Sequence, residues 1–129
     1  MIRRFLAVAL LACLCGPGAA VAQEVVGAYT AFIGEDDLYN SKGARLTEPW
    51  QVLRQDRANY YKFGIRQQGD EGDPFFSDVD NRAAMEQMVM NGTIEPSAAR
   101  NLLRGGATVY VTIYGQGGQG DYVEVTVDR

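Results

Sequence analysis

TVYVTIYGQGGQGDYVEVTV, residues 108–127, alternates apolar and polar side chains on both sides of a glycine-rich centre. Successive side chains of a strand point to opposite faces. Val109, Val111, Ile113, Val123 and Val125 therefore share one face, and Tyr110, Thr112, Tyr114, Tyr122, Glu124 and Thr126 share the other. The central GQGGQGD supplies the glycines of a flexible hairpin loop. An isolated hairpin is marginal in water, so the aliphatic face needs a cover and the sheet needs another strand. VVGAYTAFI, Val25 to Ile33, is rich in β-branched and aromatic residues, ends at Gly34 and fits that role. The expected fold class is α+β: a small antiparallel sheet, made of the N-terminal strand and the C-terminal β-hairpin, packed against about three helices.

The helices are read from their end signals. Thr47 as N-cap, Glu48-Pro49 in the first turn and Gly64 at the end predict a helix from about Glu48 to Phe63. Asp78 or Asp80 caps a second one through NRAAMEQMVM, whose apolar face is Ala84, Met85, Met88 and Val89, closed by Asn91-Gly92. Pro96 suits the first position of a third, SAARNLLR, ended by Gly105. The short link between the last two predicts an antiparallel or angled helix pair. Glu35 to Gly43 reads as a turn, and Ile65 to Pro74 as a mobile surface loop that Phe75 and Phe76 re-anchor in the core.

Residues 1–22 carry a basic start (Arg3, Arg4), an apolar run from Phe5 to Cys15 and an Ala20-Val21-Ala22 end, the pattern of a cleavable export signal. Cleavage is expected after Ala22, leaving residues 23–129 as a single small domain, periplasmic or secreted. Leu10-Leu11-Ala12-Cys13 approaches a lipoprotein box, making lipidation at Cys13 a minor alternative. The twin-arginine motif is incomplete beyond Arg3-Arg4, which favours ordinary export. The apolar run falls short of the ~18 to 20 residues of a membrane span, so none is expected.

Both cysteines fall within that segment, and the chain has no histidine. The processed chain must therefore fold without disulfides in a compartment that permits them. Without His or Cys, Ser-His-Asp triads, Cys-His dyads and the usual zinc sets are excluded. Acids outnumber bases, 16 to 12, and two of the arginines lie in the signal, which argues against nucleic acid or anionic membrane surfaces as partners. No cofactor or metal is expected.

Several motifs resolve into ordinary structure. Gly115, Gly117 and Gly120 satisfy G-x-G-x-x-G, but between two strands, with no helix to receive a pyrophosphate. Asp70, Glu71, Asp73, Asp78 and Asp80 cluster without calcium-loop spacing and read as solvated loop acids plus a helix cap. Asn91-Gly92-Thr93 matches a glycosylation sequon, yet a helix-ending turn explains it.

RQDRANYYKFG, residues 54–64, is less ordinary. At 100° per residue Trp50, Val52, Leu53, Tyr60, Tyr61 and Phe63 form an apolar side, with Gln51, Gln55, Asn59 and Lys62 opposite. Asp56 and Arg57 project toward the apolar side, where an unpaired charge would cost several kcal/mol. Neighbouring helix residues do not face each other. The expected partners are Arg66 or Arg82 for Asp56, and Asp78, Asp80 or Glu71 for Arg57. Such a network either ties the helix to the loop and second helix or lines a cleft with a perturbed carboxylate.

The expected function is that of an exported binding or interaction module for an unknown protein or small envelope ligand, with Tyr110, Tyr114 and Tyr122 as candidate contact surface. One alternative is a carboxylate-dependent hydrolase of the cell envelope, using Asp56 with an acid from the loop over residues 70–80. The other is a purely structural envelope protein.

Overall fold

The computed structural model describes Gly16 and residues 23–129. The expected signal, including Cys13 and the cleavage position after Ala22, lies, apart from Gly16, outside the described residues. Strands β1 (Glu24–Ile33), β2 (Thr93–Ile94), β3 (Ala107–Gln116) and β4 (Gln119–Asp128) form one sheet in the order β1-β3-β4-β2. β1 and β4 flank β3 antiparallel, as the alternation requires. The fold is α+β, with the N-terminal strand and C-terminal hairpin as its frame.

The hairpin is longer than its glycines suggest. Gln116 pairs with Gln119, so the loop is Gly117-Gly118 alone, both at positive φ (58° and 82°) as a tight hairpin turn demands. Most of the expected flexible loop is therefore strand. The aliphatic residues Val109, Val111, Ile113, Val123 and Val125 are buried, together with Ala31 and Ile33 of β1.

Helices α1 (Pro49–Ala58), α2 (Val79–Ala83), α3 (Met85–Asn91) and α4 (Pro96–Arg104) cover that face. Val52 and Leu53 of α1, Phe76, Met85, Met88 and Leu102 fill the core. Glu48, not Thr47, caps α1, and the Gln51 side chain reaches back to the Glu48 amide. Asp78 caps α2 by accepting from the amides of Asp80 (2.7 Å) and Asn81 (3.4 Å). The expected second helix breaks at Ala84, which is exposed, so its buried face is Met85, Met88 and Val89 only.

Three further departures have physical causes. The link between α3 and α4 is not a tight turn but strand β2, parallel to β4, so a mixed sheet replaces the expected antiparallel one and no helix pair forms directly. Gly92 permits this, because a side chain there would run into the Val123 carbonyl of β4. Second, α1 continues as a π turn, Asn59–Phe63, closed by Gly64 at φ 67°.

Third, the segment 65–74 is tethered rather than loose. Its acids cap the free edge of β1: the Thr30 amide donates to Glu71 Oε1 (3.1 Å) and the Phe32 amide to Asp70 Oδ1 (2.8 Å). The Gly34 amide donates to Asp37 Oδ2 (2.9 Å), from the 3₁₀ turn Glu35–Leu38. The Glu71 amide returns a bond to the Thr30 carbonyl (2.9 Å). Carboxylates thus stand where a further strand would bond.

Candidate functional site

Asp56 and Arg57 leave the last turn of α1 toward the core, and both are sealed, at 1% and 0% exposure. The geometry joins them to each other: Arg57 Nε donates to Asp56 Oδ2 at 2.8 Å. The backbone directions of neighbouring residues diverge, but the arginine side chain is long enough to bend its guanidinium around to the shorter aspartate. Arg57 Nη1 donates to Asp73 Oδ1 (3.0 Å) and to the Glu71 carbonyl (2.8 Å). Glu71 contributes through its backbone, while its carboxylate holds the β1 edge.

Asp73 is the group that sequence reasoning missed. It stands just before Pro74, Phe75 and Phe76, where the chain re-enters the core. Its Oδ2 accepts from the Phe76 amide at 2.6 Å, and its own amide donates to the Tyr61 hydroxyl. The available signal was an acid immediately ahead of a buried Phe pair. The guanidinium also lies 3.9 Å from the Tyr29 ring centroid and 4.9 Å from that of Tyr60. Its planar, delocalised charge suits this aromatic setting better than an ammonium would.

The other expected members stand apart. Arg66 is exposed, bonds the Tyr60 carbonyl (3.4 Å) and lies 4.2 Å from the Tyr60 ring centroid. Arg82 is buried but donates to the carbonyls of Phe76 (2.9 Å) and Ser77 (3.0 Å). Asp78 serves α2 as its cap, and Asp80 is exposed in the first turn. None of these four forms an ion pair with Asp56 or Arg57, whose partners are each other and Asp73.

Burial raises the Asp56 carboxyl to about 7, against the pull of Arg57. Its Oδ1 accepts no hydrogen bond among the described residues. Asp37 is raised too, by burial first, although Asn59 (2.8 Å) and the Gly34 amide bond it. Asn59 was expected to face solvent but is only 3% exposed. It lies seven residues beyond Val52, on the flank of the buried arc, and Asp37 covers it. Phe63, expected in the core, is 48% exposed because the π turn advances each residue by less than an α-helix does.

The outer face of the sheet is different in kind. Tyr110 is 43% exposed, and Thr112, Tyr114 and Tyr122 are half-buried. Tyr114 and Tyr122 stack with centroids 5.0 Å apart and planes 14° from parallel. The Tyr114 hydroxyl reaches Glu124 Oε2 at 3.3 Å. Ala28, Thr30, Glu71, Tyr110 and Thr112 rim a shallow depression of about 340 Å³. Among the described residues, every outward side chain of β1, β3 and β4 from Ala28 to Phe32, Thr108 to Tyr114 and Tyr122 to Thr126 keeps some contact with solvent.

Among the described residues no group of three or more acidic side chains has the arrangement of a metal site, and no helix is long and apolar enough to cross a membrane. Comparison with protein-family models, with curated proteins and with solved structures gives no match.

Proposed function

We infer that this protein is an exported binding module of the cell envelope, and that the tyrosine face of its sheet engages a protein partner. One observation carries the reading: the described chain folds helices over one face of its sheet and leaves the other, with Tyr110, Tyr114 and Tyr122, open. Tyrosine brings large contact area at low ordering cost and is enriched where proteins meet. Stacking of Tyr114 on Tyr122 fixes the orientation of both rings before any partner arrives, which lowers the entropy lost on binding.

The hydrolase alternative gains no support from the same geometry. A glycosidic acid or nucleophile must reach the substrate. Asp56 and Asp73 are clamped on one guanidinium and shielded from solvent.

A photo-crosslinking amino acid at Tyr110 or Thr112, in the exported protein, tests the reading. A discrete adduct is expected from these positions and not from Val79 or Met90, which are exposed on the helical side. Tyr110→Arg, in a strand already crosslinked through Thr112, should abolish the adduct without changing Tm. Equal adducts from both sides of the molecule, or none, would overturn the reading and favour a purely structural role.

A further inference from the structure

We propose a second binding site, for a small amphipathic organic cation, in the groove between the 3₁₀ turn with its following loop and the C-terminal end of α1. This groove, of about 500 Å³, is lined by Glu35, Asp36, Tyr39, Gln55, Phe63 and Ile65, over a floor that includes Asn59. It shares no lining residue with the tyrosine face. Its size falls in the range of sites that enclose small molecules.

Its apolar lining is concentrated. Three of the seven large apolar side chains left exposed among the described residues, Tyr39, Phe63 and Ile65, stand on this one groove. Phe63 is there because of the π turn. A regular α-helix would carry it, eleven residues beyond Val52, back toward the buried arc. The wider turn swings it out instead, and Gly64 reverses the chain so that the Ile65 amide bonds the Asn59 carbonyl at 2.8 Å. A fold that interrupts its longest helix to expose a phenylalanine beside an isoleucine spends stability on a surface, a pattern that recurs where π turns occur at functional sites.

The polar lining fixes the sign of the ligand. Glu35 and Asp36 are exposed carboxylates, and the nearest cations, Arg45 (5.7 Å from the Tyr39 ring centroid) and Lys62 (5.2 Å from that of Phe63), lie outside the lining. Asn59 has no donor to offer, since its amide group gives both hydrogens to Asp37 Oδ1 (2.8 Å) and the Asp36 carbonyl (3.1 Å). Gln55 Nε2 gives one hydrogen to Asn59 Oδ1 at 2.8 Å and keeps the other, so that Gln55, with Asn40 and Ser41, can both donate and accept, and the charge of the lining comes from the two carboxylates. The two carboxylates, beside three exposed apolar side chains, favour a ligand that donates, is positive and has an apolar body. An arylalkyl ammonium meets all three requirements. An anion of the same shape meets carboxylates, and a neutral alcohol forgoes the charge.

Titration of the intact protein with 2-phenylethylamine, 2-phenylethanol and 3-phenylpropanoate, followed calorimetrically and by amide chemical shifts at low salt, tests the site. The amine is expected to bind at least about tenfold more tightly than the alcohol, weakening as salt rises, with shifts confined to residues 35–41 and 55–65. Glu35→Gln with Asp36→Asn should cost the amine about tenfold and leave the alcohol unchanged, while Phe63→Ala should weaken both. All three side chains are exposed, so Tm should hold and a null result cannot be ascribed to unfolding. Equal affinity for amine and alcohol, no saturation by the amine in the millimolar range, or shifts elsewhere would overturn the assignment.

Discussion

At the scale of single residues, the energetic centre of the molecule is Arg57. Arg57→Ala strands Asp56 and Asp73 as buried carboxylates, and a loss of about 3 to 5 kcal/mol in urea unfolding is expected. Arg66→Ala, which removes an exposed cation, should cost less than about 1 kcal/mol. Similar losses for both would show that the buried pairing contributes nothing special. Asp56 adds a pH signature. Its folded value of about 7 exceeds the ordinary carboxyl value near 4, so its contribution to stability is full below about pH 4 and is lost as pH rises through 7. Asp37, shifted in the same direction, adds to the slope. The unfolding midpoint of wild type should therefore fall between about pH 4 and 7, and Asp56→Asn should flatten that fall; an unchanged slope would place the titration elsewhere. The sequence made this cluster visible only in part. Helical projection puts two charges on an apolar side and so announces that partners exist. It cannot say that an arginine will fold back on its neighbour, nor that Asp73, sixteen positions beyond Arg57, supplies the second carboxylate, because those facts depend on how the loop docks.

Among the elements, β1 exposes the most instructive device. Its outward amides at Thr30 and Phe32, and that of Gly34 just beyond its end, are taken by Glu71, Asp70 and Asp37, so the edge offers no free donors to another chain at those positions. Asp70→Ala with Glu71→Ala should open it. Faster amide exchange at Thr30 and Phe32 is expected, with concentration-dependent dimers or larger species in sedimentation; a strictly monomeric variant with unchanged exchange would show that the carboxylates are incidental. Gly92→Ala should destabilise by about 2 kcal/mol or more by forcing β2 away from β4, as a lower unfolding midpoint would reveal. The strands and helix starts were legible because alternation, prolines and glycines act locally: Val109 to Ile113, Pro49, Pro96 and Gly64 carry their own instructions. The two-residue β2 was not, since Thr93-Ile94 becomes a strand only when β4 is beside it. Nor was the π turn, whose register depends on what Asn59 finds to bond in the interior.

For the whole molecule, export remains the reading on which compartment and partner depend. Mass spectrometry of the envelope fraction should find a chain beginning at Gln23; one that retains residues 1–22, or carries a lipid on Cys13, would replace it. The order of the strands then acquires a kinetic meaning. Ile33 pairs with Ala107 and Glu24 with Gly115, so the first strand of the sheet waits for one of the last stretches of chain. Closing so long a loop before the β1–β3 pairing is rewarded slows folding relative to a locally paired fold of the same size. A polypeptide emerging amino end first cannot pair β1 until β3 has been made. For the export inferred above, strand order of this kind would supply a delay that suits passage through a narrow channel.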